Sequence, residues 1–185
     1  MSKNERITEN IVRDNLRDLD YYNPDNGITI EEQKSEIVKV KNLLSKASKN
    51  SKGNIGYPEF IISNKLDPNF IIIIECKSDI KKHESQNYDK PVGFAVDGVI
   101  HYAKHLSKKY TVLAIAVSGY SKDNLKVSTF LFPSEQDSYR NLVNEHGLEI
   151  EMLLKFEDYY RLASFDPEVS KKKILGSNLF FKRIA

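Results

Sequence analysis

The chain has 185 residues, with 40 % apolar and 29 % charged side chains, a composition that builds one ordinary domain with a packed core and excludes a disordered polyelectrolyte. Twenty-eight basic and 26 acidic residues leave a net charge of +2, so overall charge does not by itself select nucleic acid as a partner. A single cysteine, Cys76, rules out an internal disulfide and points to a reducing compartment. The N-terminus lacks the apolar run of a signal peptide, and the longest apolar run, Phe70–Ile74, is too short to span a bilayer, so a cytoplasmic protein without membrane contact is expected.

The spacing of Ile7, Ile11, Val12, Leu16 and Leu19 predicts a first helix with Thr8 as its cap. Tyr21–Gly27, with a Pro and an Asn-Gly pair, ends it. A second helix is expected to start near Thr29–Glu32, with Ile30, Ile37, Val40, Leu43, Leu44 and Ala47 as its apolar stripe and several lysines opposite. Ser48–Gly56 reads as a polar connector. Tyr57–Ile62 and Phe70–Lys77 read as strands around a loop at Ser63–Asn69; the unbroken isoleucines of the latter place it centrally in a sheet.

A polar, irregular stretch over Ser78–Pro91 precedes a helix over Ala95–Leu106. Strands over Thr111–Val117 and Lys126–Phe132 follow, separated by a turn at Gly119–Asn124. Ser138–His146 is expected to be a short helix, and Leu148–Leu154 fits either element. The basic run Lys171–Lys173 and the apolar residues Ile174, Leu175, Leu179, Phe180 and Phe181 set off residues 166–185 as a linker or the start of a further domain, leaving 1–165 as the main unit. The expected class is α/β, a central mixed sheet of four to five strands flanked by helices.

Chemistry concentrates on the two strands around the Ser63–Asn69 loop. A symmetric hairpin sets Glu59 opposite Glu75, with Cβ atoms roughly 5 Å apart on one face. Alternation puts Lys77 on that face and Cys76 on the other. Two facing carboxylates repel unless a cation lies between them, and all-oxygen ligation favours Mg²⁺ or Mn²⁺. Lys77 could then orient a water or offset charge on a phosphate. A solvated Glu75–Lys77 pair at a strand end is the plainer alternative, opposed by the apolar run in which Glu75 sits. His101 and His105 stand four apart on one helix, but no third zinc ligand is near them in sequence. Cys76 reads as a small buried apolar residue rather than a nucleophile.

Pro58-Glu59 followed by Glu75-Cys76-Lys77 resembles the motif of the PD-(D/E)XK nuclease superfamily, with Glu in place of the first Asp. The ordered segments Ile30–Ser35, Leu44–Lys49, Tyr57–Ile62, Ile74–Lys77, Lys82–Ser85, Ala95–Ala103 and Ala114–Gly119 resemble, more closely, the nuclease region that precedes an adenine-N6 DNA methyltransferase in combined restriction–modification proteins. The resemblance implies a restriction-endonuclease-like core and hydrolysis of DNA phosphodiesters with Mg²⁺ or Mn²⁺. It implies Glu59, Glu75 and Lys77 as catalytic residues. A metal site of Glu59 and Glu75 would be completed by an acid from a helix, with Glu31, Glu32 and Glu36 as candidates and Glu32 preferred.

Lys81, Lys82, His83 and Ser85, with Lys34 and Lys46, are the expected DNA contacts. Implied partners are double-stranded DNA, a methyltransferase or specificity region or subunit, and a transient second copy on DNA. S-adenosylmethionine would bind only a methyltransferase region beyond this chain. Gly98 stands where many relatives carry a Gln four residues before a helix Tyr, here Tyr102; Asp97 or His101 could take that role, or no residue does. The alternatives are a non-catalytic module of the same fold and a nuclease acting in repair or on RNA.

Overall fold

The computed structural model describes residues 5–47 and 56–171. Its elements in chain order are α1 (Glu5–Asp18), β1 (Ile28–Glu32), α2 (Val38–Leu44), β2 (Phe60–Asn64), β3 (Phe70–Lys77), α3 (Ala95–Leu106), β4 (Thr111–Ser118), β5 (Lys126–Phe132), β6 (Arg140–Asn141) and α4 (Phe156–Ser164). Among the described residues the strands form one six-stranded sheet in the order β1-β2-β3-β4-β5-β6. Only β3 and β4 pair in parallel; the other pairs are antiparallel. Parallel pairing needs a crossover, and α3 supplies it. The result is a mixed α/β fold compatible with a restriction-endonuclease-like core.

Every residue of β3 is buried, as its isoleucine run requires of a strand covered on both faces. Alternate residues feed two cores. Phe70, Ile72, Ile74 and Cys76 join Val12 and Leu16 of α1 and Phe156 and Tyr159 of α4. Ile71 and Ile73 join Val40 and Leu44 of α2 and Val99, Tyr102 and Ala103 of α3. The sheet thus separates an α1/α4 layer from an α2/α3 layer.

Four sequence expectations are corrected. Thr29–Glu32 belongs to β1, and the helix begins only at Val38. A hydrogen-bonded partner strand decides the matter: Ile28 to Glu32 pair residue by residue with Asn64 to Phe60. With β6 also present, the sheet has six strands rather than four to five. Ser138–His146 is not a helix; Arg140 and Asn141 pair with Leu131 and Phe130, and Val143 bridges Glu149. Thr8 lies inside α1 instead of capping it, and its hydroxyl donates to the carbonyls of Lys77 (3.3 Å) and Gly119 (2.6 Å). That bond ties α1 to the ends of β3 and β4. Residues 48–55 of the expected connector and the apolar stretch after Lys171 lie outside the described residues.

Gly119 turns the chain out of β4 at φ +128, and a Cβ there would stand 2.0 Å from the Asn124 carbonyl oxygen. Both the dihedral and the contact exclude a side chain. We expect Gly119→Ala to destabilise the fold by about 2 kcal/mol or more, read as a lowered urea midpoint with an unchanged slope.

Candidate metal and phosphodiester site

The observed pairing of β2 with β3 is the symmetric one: Phe60 faces Ile74 and Ile62 faces Ile72. Continued by one residue, the same register sets Glu59 across from Glu75. The last paired residue of β2 is Phe60, and Pro58 carries no backbone N–H, so β2 leaves the ladder at this point. The Glu59 side chain takes up the ladder's role: Oε2 accepts from the Cys76 N–H at 3.3 Å. The Glu59 carbonyl meanwhile accepts from the Gln33 N–H at 3.1 Å on the β1 side. Glu59 is therefore oriented from both flanks.

Glu75 is 1 % exposed and Lys77 is 8 % exposed. The Lys77 Nζ stands 3.7 Å from the Glu75 Oε1. A charge so withdrawn from water requires compensation, and each of these two supplies part of the other's. On the parallel side the register places Ala116 beside Glu75 and Ser118 beside Lys77, both small side chains that leave room around the charged groups. Burial raises the Cys76 thiol well above its usual range, and the charges of Glu59, Glu75 and Glu9 raise it further. Burial also raises the Tyr102 phenol on α3, again helped by Glu75 and Glu59. A Cβ at Gly56 would lie 2.9 Å from the Tyr102 hydroxyl oxygen, so a side chain there would have to displace the Tyr102 ring.

The helix acids expected from the sequence are not brought to this place. Glu32 sits at the end of β1, not on a helix, and faces α1. Arg13 donates to it through Nε (2.9 Å) and Nη2 (2.7 Å), and the Tyr22 hydroxyl adds a 3.3 Å bond. The Arg13 hydrogen bonds hold the Glu32 carboxyl below its ordinary range. Glu31 shares the face of Glu59 and Glu75, but its oxygens accept from the Ser35 hydroxyl and the Glu36 N–H, both at 2.6 Å, closing the turn before α2. Glu36 is exposed and pairs with Lys34 at 3.0 Å. The residue that the β1 register sets beside Glu59 is Gln33. Among the described residues no three His, Cys, Asp or Glu side chains cluster as a ready metal cage.

Sequence reasoning missed Glu9. It is 5 % exposed on α1 and its charge acts on Cys76. Its spacing from Val12 and Leu16 places it on the helix's apolar face, a signal visible in the sequence.

Lys81 and Lys82 are exposed on the single turn at Ile80–Lys82, directly after β3. Lys46 is exposed at the end of α2. His83 and Ser85, expected to touch DNA, are instead buried at 1 % and 6 % exposure. His83 is bonded to the Ser118 hydroxyl at Nδ1 (2.6 Å) and to the Ser128 hydroxyl at Nε2 (2.9 Å). Ser85 is bonded to Asp97. Their side chains are consumed in anchoring the loop and are not offered to a phosphate. His101 contacts the Ala47 carbonyl at 3.0 Å through Nε2.

With this geometry in view, comparison with curated proteins gives similarity to the type II restriction enzyme and methyltransferase RM.BcgI of Heyndrickxia coagulans. Identity is 31 % over 169 residues, which is 84 % of this chain and 24 % of the relative. The chain therefore spans about a quarter of the length of the curated relative it matches. This similarity relates the chain to a restriction-modification enzyme. No family model matches. No solved structure matches. Among the described residues no helix is long and apolar enough to cross a membrane.

Burial and the nearby Lys126 push the His83 imidazole down to about 4 from an ordinary 6.5. As pH falls, the unfolded chain takes up this proton before the folded one does. The His83 contribution is thus complete above pH 6.5 and is lost between 6.5 and about 4. We expect a loss of up to about 3 kcal/mol across that window, measured as a falling urea midpoint that flattens in a folded His83→Gln variant.

Proposed function

We propose that this chain is a metal-dependent DNA endonuclease domain of the PD-(D/E)XK type, serving as the cleavage module of a restriction-modification protein. The observation that carries the reading is the Lys77 ammonium 3.7 Å from Glu75 at the end of a wholly buried strand, with the Glu59 carboxylate bonded to the N–H of the intervening Cys76. Its support from outside the chain is the similarity to a restriction enzyme and methyltransferase.

The donor set fits Mg²⁺ or Mn²⁺. Glu59 and Glu75 offer only carboxylate oxygen, and a small hard cation commonly takes one or two protein carboxylates while water and phosphate oxygens fill its other positions. When bound, the cation would acidify a water and polarise the scissile phosphate. Glu59 and Glu75 would hold it. The Cys76 N–H restrains one Glu59 oxygen, so the carboxylate arrives already oriented. Lys77, buried beside a carboxylate, presents a positive charge where the phosphate develops negative charge. Lys81 and Lys82 would bind the flanking backbone of duplex DNA without reading its sequence. Target recognition and S-adenosylmethionine binding would fall to a methyltransferase or specificity region of a longer protein.

Glu59→Ala and Glu75→Gln are expected to abolish Mn²⁺ binding in calorimetry, whereas Lys77→Ala keeps the metal and lowers duplex cleavage by about 100-fold or more. Chelation should stop cleavage by the wild type, and added Mg²⁺ should restore it. A folded Lys77→Ala protein that cuts DNA at the wild-type rate would refute the reading.

A further inference from the structure

The connection from β3 to α3 is far more firmly held than its polar sequence implies. Asp97, in the first turn of α3, is 1 % exposed. One of its oxygens accepts from the Ser85 N–H at 3.0 Å; the other accepts from the Ser85 hydroxyl and from the Lys90 N–H at 2.9 Å. A carboxylate at a helix N-terminus is also favoured by the helix dipole. Upstream of this hub, the Val96 N–H donates to the His83 carbonyl at 2.8 Å, while Glu84 pairs with Lys126 at 2.8 Å.

Between Lys77 and the first of these anchors only Ser78–Lys82 remains, and it carries the exposed Lys81 and Lys82. That turn is itself capped, with the Asp79 side chain accepting from the Lys81 N–H at 2.9 Å. Nothing in the reaction proposed above uses Asp97, yet it carries a buried negative charge with three donors directed at it.

We propose that Asp97 is a positioning residue for DNA binding: by pinning the far side of the β3–α3 connection, it holds the Lys81–Lys82 turn beside Lys77 before DNA arrives. A grip set in advance avoids the cost of ordering a loop during binding. The proposal rests on the DNA reading given above, and it assigns to Ser85 the role of hinge pin and not of DNA contact.

The test is duplex-DNA affinity with Ca²⁺ in place of Mg²⁺, for wild type, Asp97→Asn, Ser85→Ala, the Lys81→Ala/Lys82→Ala pair, and Asp97→Asn combined with that pair. Amide exchange over residues 84–94 and Mn²⁺ affinity are followed in parallel. Asp97→Asn and Ser85→Ala should both speed exchange in the loop and leave Mn²⁺ affinity unchanged. They should weaken DNA binding about tenfold and make its log–log salt dependence shallower by about 0.9 for each phosphate that the lysines no longer neutralise. In the background lacking both lysines, Asp97→Asn should cost no further affinity, because its effect runs through them.

Faster exchange with wild-type DNA affinity in both single variants would overturn the proposal. So would an equal drop in affinity from Asp97→Asn with and without the lysines, which would make its role purely structural. A wild type that binds no duplex DNA would instead bring down the DNA reading itself, and this proposal with it.

Discussion

A carboxylate and an ammonium two residues apart, buried at the end of a strand otherwise made largely of isoleucine, form the constraint that the rest of this molecule meets. Neither Glu75 nor Lys77 could be withdrawn from water alone without a large desolvation cost. Their 3.7 Å separation offsets part of that cost, and Glu59, bonded to the Cys76 N–H, places a second carboxylate at the same end of the sheet. The apolar body of β3, packed between two helix layers, is what gives these charges a fixed position.

The surroundings follow from that position. At its site end, β3 needs neighbours that do not crowd the charged side chains, and β4 supplies Ala116 and Ser118 there. The ladder with β2 opens at Pro58, and the Glu59 carboxylate fills the gap that results. The segment after Lys77 is fastened by His83 to β4 and β5 and by Asp97 to α3. Polar residues that read as solvent-facing in the sequence are used instead as internal fasteners. This follows from the general cost of leaving a buried donor or acceptor without a partner.

How far the sequence could be read depended on how much of each signal was local. The Phe70–Lys77 run is long, apolar and β-branched, so its burial on both faces was legible, and the short Ser63–Asn69 loop limited its register with β2. Thr29–Glu32 was not legible. Its isoleucines also fit the stripe of the following helix, and the strand has neither a clean alternation nor a fully buried residue. That misreading carried the helix-acid assignment with it: once Glu32 lies on a strand, alternation turns it toward Arg13 and away from Glu59. His83 and Ser85 looked like loop residues free to meet a ligand, because nothing nearby in sequence names Ser118, Ser128 or Asp97 as their partners.

By itself, then, the sequence determined the central strand that ends in Glu75 and Lys77 and its symmetric pairing with the strand that follows Glu59. Each rests on side-chain period and on a hairpin loop too short to permit many registers. Only the tertiary structure decided which other polar residues stand near those acids. It seated Gln33 beside Glu59, buried Glu9 on α1, turned Glu32 away, and committed His83, Ser85 and Asp97 to holding the loop. Such choices depend on contacts between residues distant in the chain, where burial and hydrogen-bond satisfaction outweigh any local preference.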